Sequence, residues 1–362
     1  MRSGLEPSTM PEGAAGTPPA ACRPAETAGE SLLRSLECVV SAPRRDWLDL
    51  VDPAALEQAA RALAVPDPPA TSRLARRLLG PVLLRLPARA RLVATGLLKR
   101  LRSPSRRLAY VAPADFAGDR LVAALAGRYP LRLWGLGRRF CLALTHDVDT
   151  RIGYDFVPTL VDELRARGLR SSFYLLTHGD YRVEPALVRA LVGDGFEVAL
   201  HGATHDVGIG YRSRAAIRDW EAYLTGAADA PDADDVRQNL RALRQSLARL
   251  YPGVGYSFPY RLPGLPLVEV PVWFQDAFLF RDAGLDLDDA LSWCQATVGQ
   301  LRERSAAVVF VMHPDNMVGR RDFMRRFLDL VAVWRDDDAL VCPLVEVVRR
   351  FEAADDAIER AP

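Results

Sequence analysis

Histidine is scarce in this sequence and occurs at only a few places. The chain of 362 residues has five histidines, and four of them lie at or just past the carboxyl end of a predicted strand. These four are His146, His201, His205 and His313. Because parallel α/β folds place their chemistry at the carboxyl ends of their strands, this clustering predicts a catalytic site.

The spacing around these histidines is typical of a metal centre. His201 and His205 are four residues apart, so a helical turn starting at the strand end would place both rings on one side. A catalytic zinc ion takes three protein ligands and keeps one position for water, and either Asp147 or Asp149 can supply the third ligand. The other carboxylate is then available as a general base, and His313 can protonate a leaving group.

Each of these features also has a structural explanation when it is taken alone. A single His-x-x-x-His spacing is a weak signal, the two aspartates could cap a turn, and His313 could be a buried structural imidazole. Their joint position at strand ends favours the catalytic interpretation. His146 and the fifth histidine, His178, are interpreted as structural or supporting residues.

The elements that must position these residues follow from the apolar pattern. In the second half of the chain, short apolar runs alternate with amphipathic helical patterns, which indicates parallel βα units and an α/β fold. The clearest strands are predicted at Phe140–Leu144, Glu197–Leu200 and Ala307–Met312. Shorter strands are predicted at Tyr256–Phe258 and Phe278–Phe280.

Three segments together resemble the polysaccharide deacetylase superfamily, that is, the NodB-homology or carbohydrate esterase family 4 proteins. They contain Thr-His-Asp-Val-Asp within 144–149, His-Gly-Ala-Thr-His within 197–206 and Val-Phe-Val-Met-His within 308–313. The resemblance covers roughly residues 139–351 and does not extend to residues 1–138. It implies a distorted (β/α) barrel of about seven strands, here with an N-terminal, mainly helical extension.

The resemblance also implies a role for each residue of the metal centre. His201, His205 and Asp149 would bind the metal ion, and Asp147 would be the catalytic base. Val148 separates the two aspartates, as in a sub-branch of the family with an Asp-x-Asp motif. The exchanged assignment of the two aspartates is the alternative.

The remaining family motifs imply the other catalytic groups. Arg261, in the segment Arg-Leu-Pro-Gly, would orient the base, although this chain has Gly264 where the family has an aromatic residue. Asp276 would be the carboxylate that pairs with Arg261. His313 would be the general acid.

The activity that the resemblance implies is metal-dependent hydrolysis of an N-acetyl group on a sugar unit, with zinc as the expected ion. The substrate would be an N-acetylated saccharide, a sugar nucleotide or a lipid-linked glycan. One alternative is another C–N amidohydrolase of the superfamily, which would open a cyclic imide or ureide. A second alternative is a non-catalytic barrel that acts as a scaffold in glycan assembly.

The composition of the chain and the distribution of its charged and apolar residues indicate how it is organised. The 47 basic and 46 acidic residues give a net charge of +1, so no nucleic-acid partner is expected. We predict a disordered lead-in over 1–30, a helical, basic region over 31–138, the deacetylase-like barrel over 139–351 and a tail over 352–362. No secretory signal and no membrane-spanning stretch is evident, so a cytoplasmic location is expected.

One segment of the helical region has an unusual charge distribution. Residues 73–107 contain eleven basic residues and no acidic residue, together with leucines at helical spacing. The segment is interpreted as a helix that packs its leucines on the core, because apolar stripes usually face a core. The alternative is a basic amphipathic helix that lies on an anionic membrane surface.

Overall fold

The structure is a computed structural model of the chain. It describes residues 27–63, 117–129, 131–177, 179–202, 257–261 and 268–360. The basic segment 73–107 lies outside the described residues, as do His178 and His205 and most of the predicted lead-in.

Helices form the described part of the N-terminal region, as the sequence predicts. Helix α1 spans Ala28–Val40, α2 spans Pro53–Leu63 and α3 spans Ala117–Ala126. The Thr27 side chain caps α1 by accepting a hydrogen bond from the backbone N–H of Glu30. Helix α1 therefore overlaps the last three residues of the predicted lead-in, 28–30.

A parallel sheet forms the second half of the described chain. In chain order the strands are β1 (Phe140–Val148), β2 (Ser172–Leu176), β3 (Glu197–Gly202), β4 (Tyr260–Arg261), β5 (Val268–Glu269), β6 (Val272–Gln275), β7 (Ala307–Met312) and β8 (Ala339–Val341). Strands β4 and β5 form a separate antiparallel pair. The main sheet has the order β3-β2-β1-β7-β6, and β8 pairs with the first residues of β1. All of its pairings are parallel.

Helices connect the strands of this sheet, as parallel pairing requires. They are α4 (Arg151–Ala166), α5 (Pro185–Gly193), α6 (Leu287–Glu303), α7 (Pro314–Val318) and α8 (Arg321–Asp337). Helix α9 (Leu344–Glu359) follows the last strand and packs in the same core as the N-terminal helices. A π-helical turn over Phe278–Asp282 follows β6. The predicted α/β class with a helical N-terminal extension is confirmed.

Among the described residues, no helix is both long and apolar enough to cross a bilayer.

The two faces of the sheet pack against different layers. Along β1, Phe140, Leu142 and Leu144 belong to a core that includes residues of α4, α6 and α8. The alternate residues Cys141 and Ala143 belong to a second core, which includes residues of α1 and α3. The N-terminal helices therefore pack against the opposite face of the sheet from the connecting helices.

Two predicted strands are wrong, and two others are longer than predicted. Phe278–Phe280 lies in the π-helical turn, and the described residues of Tyr256–Phe258 are not in a strand. An apolar run of three residues does not distinguish a strand from a buried turn. Strand β1 continues through Val148 and β3 through Gly202, so Asp147 and His201 lie within strands.

Candidate active site

Four strands of the main sheet bring the polar residues to one edge. Asp147 is the second-last residue of β1, and Asp149 follows this strand directly. His201 is the second-last residue of β3, His313 follows β7, and Asp276 follows β6. Because these strands are parallel, their carboxyl ends meet at the same edge of the sheet.

Asp149 lies between the two imidazoles at the centre of this cluster. Its Oδ1 atom is 3.1 Å from His201 Nε2, and its Oδ2 atom is 3.8 Å from His313 Nε2. Asp147 is the second carboxylate near His201, with an Oδ2–Nε2 distance of 3.8 Å. The structure thus brings together Asp147, Asp149, His201 and His313, which the sequence predicts as site residues.

Asp276 holds His313 in place. The Asp276 side chain is fully buried, and its Oδ1 atom is 2.6 Å from His313 Nδ1. Its Oδ2 atom accepts the backbone N–H of His313 at 2.9 Å and the Asn316 side-chain amide at 3.3 Å. The Nε2 atom of His313 is therefore the ring nitrogen that faces the aspartates of the site.

The carboxylates determine the charge of both imidazoles. Burial lowers the pKa of His313, but the hydrogen bond that its Nδ1 donates to Asp276 and the charges of Asp276, Asp147 and Asp149 outweigh burial and raise this pKa to about 9. Burial also lowers the pKa of His201, and the hydrogen bond with Asp149 and the two aspartate charges again give a net increase. The cluster therefore has an excess of carboxylates that stabilises positive charge.

Arg261 does not pair with Asp276, so the ion pair predicted from the family motif is wrong. Its Nε and Nη2 atoms are 2.9 and 2.6 Å from Asp355 Oδ2, a buried carboxylate of α9 that also pairs with Arg34 of α1. Asp276, the partner predicted from the family motif, pairs with His313 instead. Helix α9 supplies this carboxylate beside β4 and α1 supplies Arg34, so Arg261 is paired within that layer.

Two other predicted features lie partly or wholly outside the described residues. His205, the second histidine of the His-x-x-x-His motif, is not described, and neither is Gly264. The helical turn predicted over residues 201–205 lies outside the described residues from residue 203 onward, and His201 itself is in β3. The strand continues past Leu200 because residues of β3 up to Gly202 remain paired with β2.

Sequence reasoning missed several residues that support the site. Asn316 binds Asp276, and Asp315 accepts a hydrogen bond from the Thr150 hydroxyl at 3.4 Å. Burial raises the pKa of Asp315. Both residues lie within three positions of His313, in the segment His-Pro-Asp-Asn that follows a buried strand. Their position at this strand end was the signal that could have identified them.

Tyr181 fixes the backbone next to the aspartates. Its hydroxyl donates to the Val148 carbonyl at 2.6 Å and accepts the Leu176 N–H at 2.8 Å. The ring of Tyr181 stacks on Tyr154 of α4 with centroids 4.5 Å apart. These contacts join the ends of β1 and β2. Tyr181 lies outside every motif recognised in the sequence, so sequence reasoning did not identify it.

His146 has a structural role, in agreement with its interpretation from sequence. It is fully buried in β1, with Nε2 3.0 Å from the Ser171 hydroxyl and its ring against Phe173. Burial lowers the pKa of His146 to about 3, so this imidazole is neutral at physiological pH.

The donor set suits a divalent metal ion. Bonds of about 2.0–2.2 Å at tetrahedral angles place two zinc ligands roughly 3.3–3.5 Å apart, close to the 3.1 Å between His201 Nε2 and Asp149 Oδ1. Within the described ranges, no three histidine, cysteine or acidic side chains are arranged around one metal position. The third predicted ligand, His205, is not among those residues.

Comparisons with known proteins give similar structures but no sequence match. No family profile matches the chain, and no curated protein matches it. Puue allantoinase is 16% identical with a TM-score of 0.46, over 63% of this chain and 95% of that chain. A protein described as a probable polysaccharide deacetylase from Pseudomonas aeruginosa PAO1 is 16% identical with a TM-score of 0.45, over 63% and 96%.

A third similar structure contains a metal ion. The family 4 acetyl xylan esterase from Clostridium thermocellum, in complex with cobalt, is 14% identical with a TM-score of 0.31, over 58% of this chain and 90% of that chain. Because all three TM-scores are below 0.5, the activity of this chain has to be inferred from its own residues. Those residues define an α/β protein with a carboxylate–imidazole cluster at the carboxyl edge of a parallel sheet.

Proposed function

We propose that this protein is a metal-dependent hydrolase that removes N-acetyl groups from saccharides, with zinc as its metal ion. The observation that carries the proposal is the convergence of Asp147, Asp149 and His201 with the Asp276–His313 pair at the carboxyl edge of the main sheet. The resemblance of these segments to polysaccharide deacetylases supports the choice of reaction.

Asp149 and His201, with His205, would hold the metal ion. A divalent ion at this position supplies Lewis-acid activation of water and of the acetyl carbonyl group. The two partly buried carboxylates next to His201 would offset the positive charge of such an ion. Tyr181 keeps the Val148 carbonyl, and with it the backbone between the two aspartates, in a fixed position.

Asp147 and His313 would transfer the protons of the reaction. Asp147 accepts a proton from the attacking water, as a general base. His313 donates a proton from Nε2 to the leaving nitrogen, while Asp276 binds Nδ1 and holds the ring in orientation. The C–N bond breaks as the water oxygen bonds the acetyl carbon, giving a free amine and acetic acid. The acid releases its proton to solvent to become acetate, and the proton held by Asp147 returns through solvent to His313, so atoms and charges balance.

The proposal is tested by acetate release from a panel of N-acetylated oligosaccharides and sugar nucleotides, with and without a chelator. We expect activity that the chelator abolishes and zinc restores. Asp147→Asn should reduce kcat by about 10²-fold or more while the metal content stays the same. Asp162→Asn, an exposed aspartate of α4, is the control and should leave kcat unchanged.

Three results would contradict the proposal. Full activity after metal removal would exclude a metal-dependent mechanism. Hydrolysis of a cyclic ureide without acetate release from any saccharide would identify the alternative amidohydrolase reaction. If the zinc-loaded protein hydrolyses neither class but binds a glycan, the barrel is a scaffold.

A further inference from the structure

A cavity lies on the His313 side of the site and has no role in the chemistry described above. Its volume is about 520 Å³, and residues 280, 285–287 and 318–323 line it. The last of these segments starts five residues after His313. At about 1.5 Å per helical residue, α7 separates the start of this segment from His313 by roughly 7.5 Å along its axis, a distance that a disaccharide can span.

Arg320 is held flat against one wall of this cavity. Its guanidinium carbon is 4.6 Å from the centroid of the Phe280 ring, and Phe280 packs edge-on against Phe323 at 4.8 Å. Arg320 Nη1 also donates to the Asn316 carbonyl at 3.3 Å. A guanidinium that is fixed in this way has lost little of its donor capacity, because most of its five N–H groups remain available.

In the described part of the chain Arg320 forms no ion pair, although two aspartates, Asp286 and Asp322, also line the cavity. Among the described residues, no carboxylate lies within ion-pair distance of Arg320 or of its neighbour Arg321, whose guanidinium lies over Phe156. Other exposed arginines of α8 are paired, for example Arg326 with Asp288 at 2.7 Å. Of the two aspartates that line the cavity, Asp286 uses its carboxylate to cap α6.

Hydrogen bonds connect Arg320 to the proposed general acid. The backbone carbonyl of Asn316 binds Arg320, and the side-chain amide of Asn316 binds Asp276 at 3.3 Å. Asp276 in turn binds His313. A substrate group on Arg320 would therefore lie at a fixed position relative to the reacting bond.

We propose that this cavity is a subsite for an anionic substituent of the saccharide substrate, a phosphate or a carboxylate. Arg320 would bind two oxygens of the anion through its planar fork of donors, with Arg321 as a second positive charge. Phe280 would orient the guanidinium and contact the sugar ring beside it. This inference rests on the proposed deacetylase function and narrows its substrate to charged saccharides.

The test compares three N-acetylated substrates: N-acetylglucosamine phosphate, a disaccharide that contains a uronic acid, and neutral diacetylchitobiose. Arg320→Ala should raise KM for a charged substrate by about tenfold or more, the loss expected for a charged hydrogen bond, and leave KM for the neutral substrate within about twofold. The substrate that is affected identifies the anion as phosphate or carboxylate. Arg326→Ala, in the helix that Arg320 directly precedes, is the control and should not discriminate.

A binding measurement separates this inference from the proposed function. Calorimetric titration of the same three saccharides into Asp147→Asn, with and without Arg320→Ala, does not require turnover. Weaker binding of a charged saccharide on loss of Arg320 would support the subsite even if no acetate is released. Equal changes for charged and neutral saccharides, or no change for any of them, would overturn it.

Discussion

The buried carboxylate of Asp355 offers the sharpest test of the tertiary structure. Asp355 lies in α9 with no exposed side-chain surface, and it pairs with Arg34 of α1 and Arg261 of β4. The two arginine side chains are 15% and 17% exposed. One negative charge therefore joins the N-terminal helices, the β4–β5 pair and the last helix.

Asp355→Asn removes this charge with almost no change in side-chain volume. Breaking a buried ion pair by removing one partner destabilises a protein by about 3–5 kcal/mol. Because water still reaches both guanidinium groups, we expect the lower value, about 3 kcal/mol. At roughly 2 °C per kcal/mol for a large domain, the melting temperature should fall by about 6 °C.

Urea unfolding monitored by circular dichroism measures this free energy. Asp356→Asn, an exposed neighbour on the same helix, is the control and should change the free energy of unfolding by less than about 0.5 kcal/mol. Double-mutant cycles then identify the partner of Arg261. We expect a coupling energy of about 1–3 kcal/mol between Arg261 and Asp355, and none between Arg261 and Asp276. The reverse pattern would refute the structural assignment and restore the pairing predicted from sequence.

Three further predictions concern metal content, pH and the support of the site. Purified protein should contain about one divalent ion per chain, and His201→Ala should lose it without unfolding; unchanged occupancy would exclude this ligand. Burial raises the pKa of Asp119 from 3.8 to about 6, so its contribution to stability is complete below pH 3.8 and is lost as the pH rises through 6. Asp119→Asn should therefore flatten the pH dependence of the free energy of unfolding between pH 4 and 6, and an unaltered slope would contradict the shift. Tyr181→Phe should lower the free energy of unfolding by about 1–3 kcal/mol, because the Leu176 N–H loses its acceptor; a change below 0.5 kcal/mol in urea unfolding would show that this bond is not needed.

Several elements were predictable because their signal is local. Strand β7 has the predicted bounds, Ala307–Met312. Six consecutive apolar residues are typical of a central parallel strand, because both of its faces are buried. Strand β1 was predicted to end at Leu144, but it continues to Val148. The polar residues Thr145, His146 and Asp147 look like a loop in the sequence, whereas pairing with both β2 and β7 keeps this backbone extended.

The sequence alone identified the polar residues that the structure brings together at the strand ends. The types and strand-end positions of Asp147, Asp149, His201 and His313 are properties of the chain, and parallel βα units necessarily bring strand ends to one edge. The same reasoning selected Asp276 but could not show which residue it binds.

Only the tertiary structure decided the partners. Asp276 pairs with His313 and Arg261 pairs with Asp355, and these contacts join residues 37 and 94 positions apart in sequence. A motif indicates that an arginine and a carboxylate are present, but an ion pair forms with whichever opposite charge the packed helices bring nearest. Here that charge is Asp355 of α9, which the N-terminal helices hold against β4. The N-terminal helices show no family resemblance, yet their packing determined the partner of Arg261, a residue of a family motif.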